Sequence, residues 1–169
     1  MTAFKTPPHI AAQETAIDTL ARTIWGEAYA EPVRGKEAVA AVVMNRVKQA
    51  RSRFGFDWWG GTVVEACLGP EQFECWRHSP GARRDLMNVR PDDPVFAVCR
   101  RIACRAVRGA LVDPTRGAVR YHRAQETPWW AHGLEPTIAI GRRLFYRDPH
   151  EIPQDDGAET LSPFDEVPA

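Results

Sequence analysis

The chain of 169 residues has no long hydrophobic run, its longest apolar stretch being Ala38 to Met44. A membrane-spanning helix needs roughly 20 such residues, so no segment is expected to cross a bilayer. Met1 to Gln13 contains Pro7, Pro8 and His9 and lacks the apolar core of a secretory signal. The expectation is synthesis in the cytoplasm without that signal. Excess charge of one sign is also missing, with 22 Lys and Arg against 22 Asp and Glu. The four cysteines, Cys67, Cys75, Cys99 and Cys104, lack the close spacing and the accompanying histidines of common zinc modules. Neither a metal nor a cofactor is therefore expected. Cys75 and Cys99 remain either a bridge between the middle of the chain and a later helix, stable only in an oxidising compartment, or free buried thiols.

What is present is unevenly distributed. Residues 148–169 hold seven acids (Asp148, Glu151, Asp155, Asp156, Glu159, Asp165, Glu166), four prolines and no Lys or Arg. Such a segment buries too little apolar surface to offset ordering and is expected to stay mobile. The remaining Met1 to Arg147 carries 22 basic and 15 acidic residues, a net charge of +7. That body suits an anionic partner such as cell-wall polymer, lipid head groups or nucleic acid. The chain thus divides into an extension (1–14), one folded domain (15–147) and an acidic tail (148–169).

Ile17, Leu20, Ala21, Ile24, Trp25 and Ala28 recur at the spacing of an amphipathic helix ended by Glu31-Pro32. A second helix runs from Gly35 through Val47 and is apolar on nearly every side from Ala38 to Met44, so it should be central. Asn45 and Arg46 interrupt that helix, where an unpaired charge would be costly, and should pair internally. The Gly-, Trp- and Pro-rich stretch from Arg51 to Arg90 reads as loops with short helical turns. Pro94 opens a third helix ending near Gly109. Gly117 to Tyr121 and Ile138 to Tyr146 are β-prone. Helices followed by a small sheet make an α+β fold, mostly helical.

On the first helix the apolar stripe centres near Ile24 and Ala28, and at about 100° per residue Glu27 falls about 80° to one side. A carboxylate bordering a buried stripe beside Trp25 is partly desolvated, which raises its pKa and suits it to act as a general acid. Boundary glutamates are common, so position alone does not decide Glu27's role. The surrounding string does more: Ala21-Arg22-Thr23-Ile24-Trp25-Gly26-Glu27-Ala28, then Glu31-Pro32, Gly35 and Ala38 to Val47. Further blocks follow in order: Gln72-Phe73, Cys75-Trp76, Asp113-Pro114-Thr115, Gly117-Ala118, Tyr121-His122, Trp129-Trp130-Ala131, Ile140-Gly141 and Phe145-Tyr146.

Taken together, these blocks resemble the cell wall hydrolase family that includes the catalytic domain of bacterial spore-cortex-lytic enzymes. The resemblance spans about Leu20 to Arg147. It implies a single domain similar to lysozymes and lytic transglycosylases, with Glu27 as catalytic acid, cleaving the MurNAc-GlcNAc β-1,4 bond of peptidoglycan. A lytic transglycosylase reuses that carboxylate as the base that closes a 1,6-anhydro ring. Hydrolysis instead requires a second carboxylate. Glu74, where the family commonly has a small residue such as Ser, is the candidate, although a plain surface position fits it too.

Glycan clefts combine aromatic platforms with amides and cations. Trp76, Tyr121, Trp129 and Trp130 supply the former in the resembling blocks, with Gln72 and His122 as hydrogen-bonding partners. His122 serves either the substrate or the structure. The competing class is a non-catalytic wall-binding or basic nucleic-acid-binding module. Its nucleic-acid form is disfavoured by scattered Lys and Arg without a recognised motif, so the expected partner is peptidoglycan strands, acted on by a monomer. With no export signal in view, an endolysin-like, phage- or prophage-encoded role is a further expectation.

Overall fold

The computed structural model describes residues 7–52, 59–77 and 80–148. Among the described residues six helices come first: α1 (Pro8–Ala28), α2 (Val33–Arg51), α3 (Val63–Leu68), α4 (Glu74–Arg77), α5 (Pro80–Met87) and α6 (Pro94–Val107). Three strands follow, β1 (Arg120–Arg123), β2 (Ile138–Ile140) and β3 (Arg143–Tyr146), with a short 3₁₀ turn at Trp129–Ala131 between β1 and β2. The expected α+β, mostly helical fold is what the chain adopts.

Helix α1 buries Ile17, Leu20, Ala21, Ile24 and Ala28, the face that its periodicity marked. It begins earlier than expected, at Pro8, because proline at the first helical position costs no hydrogen bond and the exposed turns that follow need no buried stripe. Its last carbonyls are not closed by a glycine. Lys36 Nζ donates to Tyr29 O at 2.9 Å and also to Glu31 O, and Arg143 Nη2 donates to Glu27 O. Cations at the negative end of a helix satisfy its orphan carbonyls and its dipole together.

Helix α2 is the centre of the molecule. Val39, Ala40, Val43 and Val47 join the core formed with α1, α3 and α6, while Ala38 and Val42 pack against Ala118, Ile140 and Phe145 at the sheet. This two-sided burial explains why its sequence lacks a polar face. Asn45 Nδ2 donates to Asp113 Oδ2 and Ala118 O, both at 3.0 Å, so it pairs internally as expected. Burial raises the Asp113 carboxyl pKa, but hydrogen bonds from Thr115, Asn45 and Gly117 outweigh it and hold the group below its ordinary value. The turn after α6 is thereby tied to α2. α6 itself is capped by Asp93, whose carboxylate accepts from Phe96 N at 2.7 Å.

The sheet is antiparallel with order β1-β3-β2. Tyr121 faces Phe145 across β1 and β3, and Ile140 faces Arg143 across β2 and β3. The segment Ile138 to Tyr146, expected as one β-prone run, is therefore a hairpin. Gly141, with φ +57°, turns the chain between Ile140 and Arg143, the left-handed conformation that tight hairpin turns reserve for glycine. Of the acidic segment, Asp148 is buried; residues 149–169 and 1–6 lie outside the described residues. No described helix is long and apolar enough to cross a membrane.

Candidate active site

Glu27 occupies the last turn of α1 and is half-buried. Its Oε1 accepts from the backbone N–H of Cys75 at 2.9 Å, and its Oε2 accepts from the Tyr121 hydroxyl at 2.7 Å. Each oxygen uses one lone pair in these bonds and keeps another for a proton or a substrate. The two donors reach it for local reasons. A Cβ on Gly26 would lie 2.7 Å from Cys75 Cβ, so only glycine before Glu27 lets α4 come this close. Tyr121 is held by β1 pairing to β3, with its ring 5.5 Å from that of the buried Phe145.

Arg143 completes the frame from β3. Its guanidinium bonds the Glu27 carbonyl, lies 5.3 Å from the Tyr121 ring centroid and pairs with Glu31 Oε1 at 3.2 Å. The ion pair is buried on both sides. Gly35 and Gly141 flank Glu31, and a Cβ at either would run into its side chain. Burial, the Glu27 charge and the hydrogen bond to Glu27 push the Tyr121 hydroxyl well above its ordinary range. Tyr121 therefore stays a neutral donor. Burial, again followed by the Glu27 charge, likewise pushes the Cys75 thiol far up.

These groups sit in a cleft of about 770 Å³. Trp25, Trp59, Tyr121 and Trp130 supply aromatic surface, and Trp129, at 84% exposed, stands at its rim. Gln72 lines the cleft, but its side-chain oxygen accepts from Arg46 Nη1 at 3.1 Å. Arg46 is itself buried, donates to Val119 O at 2.8 Å, and lies 4.6 Å from the ring centroids of both Trp59 and Phe73. Burial lowers its pKa to about 10. The internal pairing expected of Arg46 is thus found, and it also borders the cleft. His122 lines the cleft with both ring nitrogens engaged, Nδ1 to Arg123 O at 2.7 Å and Nε2 to the Tyr146 hydroxyl at 2.9 Å. Its edges are spent within the protein.

One expectation fails. Trp76 does not line the cleft: its ring packs on the helical core and its Nε1 donates to Thr23 Oγ1 at 3.0 Å. Of the two alternatives for Cys75 and Cys99, the structure has free buried thiols and not the bridge, and all four cysteines are free. Each is instead a small apolar filler, Cys75 against Gly26 and Cys99 within the core. Glu74 is exposed and lines the same cleft as Glu27. Among the described residues no cluster of His, Cys, Asp or Glu is placed to hold a metal ion. Trp25, Trp59, Arg46, Arg143 and Glu31 belong to the site without having been singled out as such. For Trp25 the signal was adjacency to Glu27; for the Glu31–Arg143 pair no short-range signal exists.

The model of a family described as cell wall hydrolase matches residues 30–146, more than half of the chain. The chain belongs to the cell wall hydrolase family. Membership makes it an enzyme of cell-wall degradation. The matched segment starts just after Glu27, so the assignment of that residue rests on its surroundings. This cell wall hydrolase is also similar to two solved structures. The catalytic domain of the Bacillus cereus SleB protein aligns with a TM-score of 0.61 at 24% identity, covering 79% of this chain and 91% of that one. The catalytic domain of the germination-specific lytic transglycosylase SleB from Bacillus anthracis aligns with a TM-score of 0.60 at 22% identity, covering 87% of this chain and 100% of that one. These likenesses establish the shared fold. None of the curated proteins matches the chain.

Proposed function

We propose that this cell wall hydrolase cleaves the MurNAc-GlcNAc β-1,4 bond of peptidoglycan as a lytic transglycosylase with Glu27 as its catalytic carboxylate. The observation that carries the reading is the placement of Glu27 between two hydrogen-bond donors, Cys75 N–H and Tyr121 O–H, in an aromatic-lined cleft. Protonated Glu27 gives its proton to the glycosidic oxygen as the C1–O bond breaks. The resulting carboxylate, steadied by its two donors, takes the proton of the C6 hydroxyl while O6 attacks C1 and closes the anhydro ring. Tyr121 keeps its own proton throughout, since its pKa lies well above the ordinary range. Its role is to aim and stabilise the carboxylate.

The lytic transglycosylase named in the similar Bacillus anthracis structure supports this chemistry. One observation favours a second reading: Glu74 opens α4 in the same cleft, where a second carboxylate could activate water and yield hydrolysis. The test is release of soluble fragments from purified sacculi by wild-type protein and by Glu27→Gln. Release by wild type alone supports the assignment of Glu27; equal release by the variant removes it.

A further inference from the structure

A second cavity of about 330 Å³ adjoins the cleft at Glu27 and shares Gly26, Glu27, Arg123 and Arg143 with it. The two differ in chemistry. The larger cavity has the tryptophans, which suit sugar faces, and its five arginines are balanced by five acids; the smaller has Tyr29 as the one ring among its described lining residues and carries three arginines, Arg123, Arg142 and Arg143, against Glu27 and Glu31. Of these, Arg143 is committed to Glu31 within the fold.

The other two guanidinium groups are held only loosely. Arg142 lies 3.6 Å from Glu31 with its side chain 70% exposed, and Arg123 lies 3.9 Å from Glu126 with its side chain 60% exposed. The Arg123 pair is exposed on both sides and contributes little stability, and the exposed Arg142 is the more distant of two guanidinium groups on the buried Glu31, which Arg143 holds at 3.2 Å; each can therefore exchange its partner for an incoming carboxylate, the group that a guanidinium fork fits best. Gln125 adds a side-chain amide at the same border.

The chemistry of the substrate supplies such a ligand. Resting on the glycosidase reading above, the muramoyl sugar that loses its bond at Glu27 also bears, through its lactyl group, a peptide stem with several carboxylates. We propose that the smaller cavity is a binding site for this peptide stem, with Arg142 and Arg123 as its carboxylate ligands, which makes the enzyme selective for peptide-bearing over bare glycan. Sugars then occupy the aromatic side of Glu27 and the peptide branch the guanidinium side.

The test compares intact sacculi with the same sacculi stripped of stems by an amidase, measuring initial release of glycan fragments at limiting substrate. Wild type should favour the intact material by about a hundredfold, the worth of two charge-assisted contacts. Arg142→Gln should lower release from intact sacculi by about tenfold and leave bare strands unaffected; adding Arg123→Gln should close the remaining gap. Thermal melts confirm folding. An equal loss on both substrates, or an unchanged preference in both variants, overturns the peptide site. Wild type that releases nothing from either substrate overturns the glycosidase reading itself, and the peptide site with it.

Discussion

Tyr121 and Glu27, 94 positions apart, meet through a 2.7 Å hydrogen bond that joins the sheet to the last turn of α1. Because Tyr121 remains a neutral donor, the bond persists from neutral to alkaline pH. Tyr121→Phe removes it and nothing else of size. A hydrogen bond to a charged group contributes about 1.5 to 3 kcal/mol, so the rate of sacculus cleavage should drop roughly 10- to 100-fold. Steady-state release assays check this, and circular dichroism melts should show a still cooperative transition lowered by several degrees, with the variant folded at the assay temperature.

Gly26→Ala attacks the other donor. The new methyl would meet Cys75 Cβ at 2.7 Å and Sγ at 3.1 Å, forcing α4 away and drawing the Cys75 N–H off Glu27. Overpacking costs about 1 to 3 kcal/mol, partly offset by the better helix propensity of alanine. Denaturant titration should show the loss, and activity should fall by more than the change in folded population explains.

Glu31 and Arg143 form a buried pair, and breaking such a pair from one side costs about 3 to 5 kcal/mol because a charge is left unpaired. Glu31→Met and Arg143→Met should each destabilise by that order. The double variant should lose less than either single one. A double loss equal to the sum of the singles would mean that the two charges are not coupled.

The thiols give a reactivity and a pH test. Cys67, Cys75 and Cys99 are buried and free, and Cys104 is half-buried. Ellman's reagent should titrate Cys104 ahead of the others in the native protein, and all four cysteines after unfolding without reductant. Finding only two in that unfolded sample would restore a bridge. Burial holds the Cys67 thiol to about 12 and the Cys99 thiol to about 11, against 9.0 for the free group. The folded state thus binds more protons than the unfolded one above pH 9.0. Stability is fully present below that pH and is lost as pH rises from there through about 11 and 12. Denaturation midpoints followed upward through this window should fall less steeply in Cys99→Ala than in wild type.

The sequence made some of this legible and hid the rest for identifiable reasons. The buried stripe of α1 and the all-apolar α2 could be read because burial imposes a short period on the residues of one helix. The frame of the site was not readable that way. Arg143 reaches Glu27 and Glu31 from more than 100 residues away, and periodicity says nothing about such pairs. Trp76 and Trp25 exchanged roles for a related reason: neighbours along a helix point in different directions, so the block Cys75-Trp76 brings its cysteine to the cleft and turns its tryptophan to the core. The hairpin at Gly141 was concealed by β-formers on both sides, although a glycine between two such runs is itself a turn signal. His122 was identified as near the site, but only the structure shows both of its nitrogens engaged.

The most direct measurement is the fate of water in the product. Peptidoglycan is digested in heavy-oxygen water by wild type and by Glu27→Gln, and the released muropeptides are weighed by mass spectrometry. With Glu27 as sole catalytic carboxylate, wild type yields 1,6-anhydro ends with no heavy oxygen and the variant yields nothing. Reducing ends carrying heavy oxygen, or undiminished release by Glu27→Gln, would contradict it.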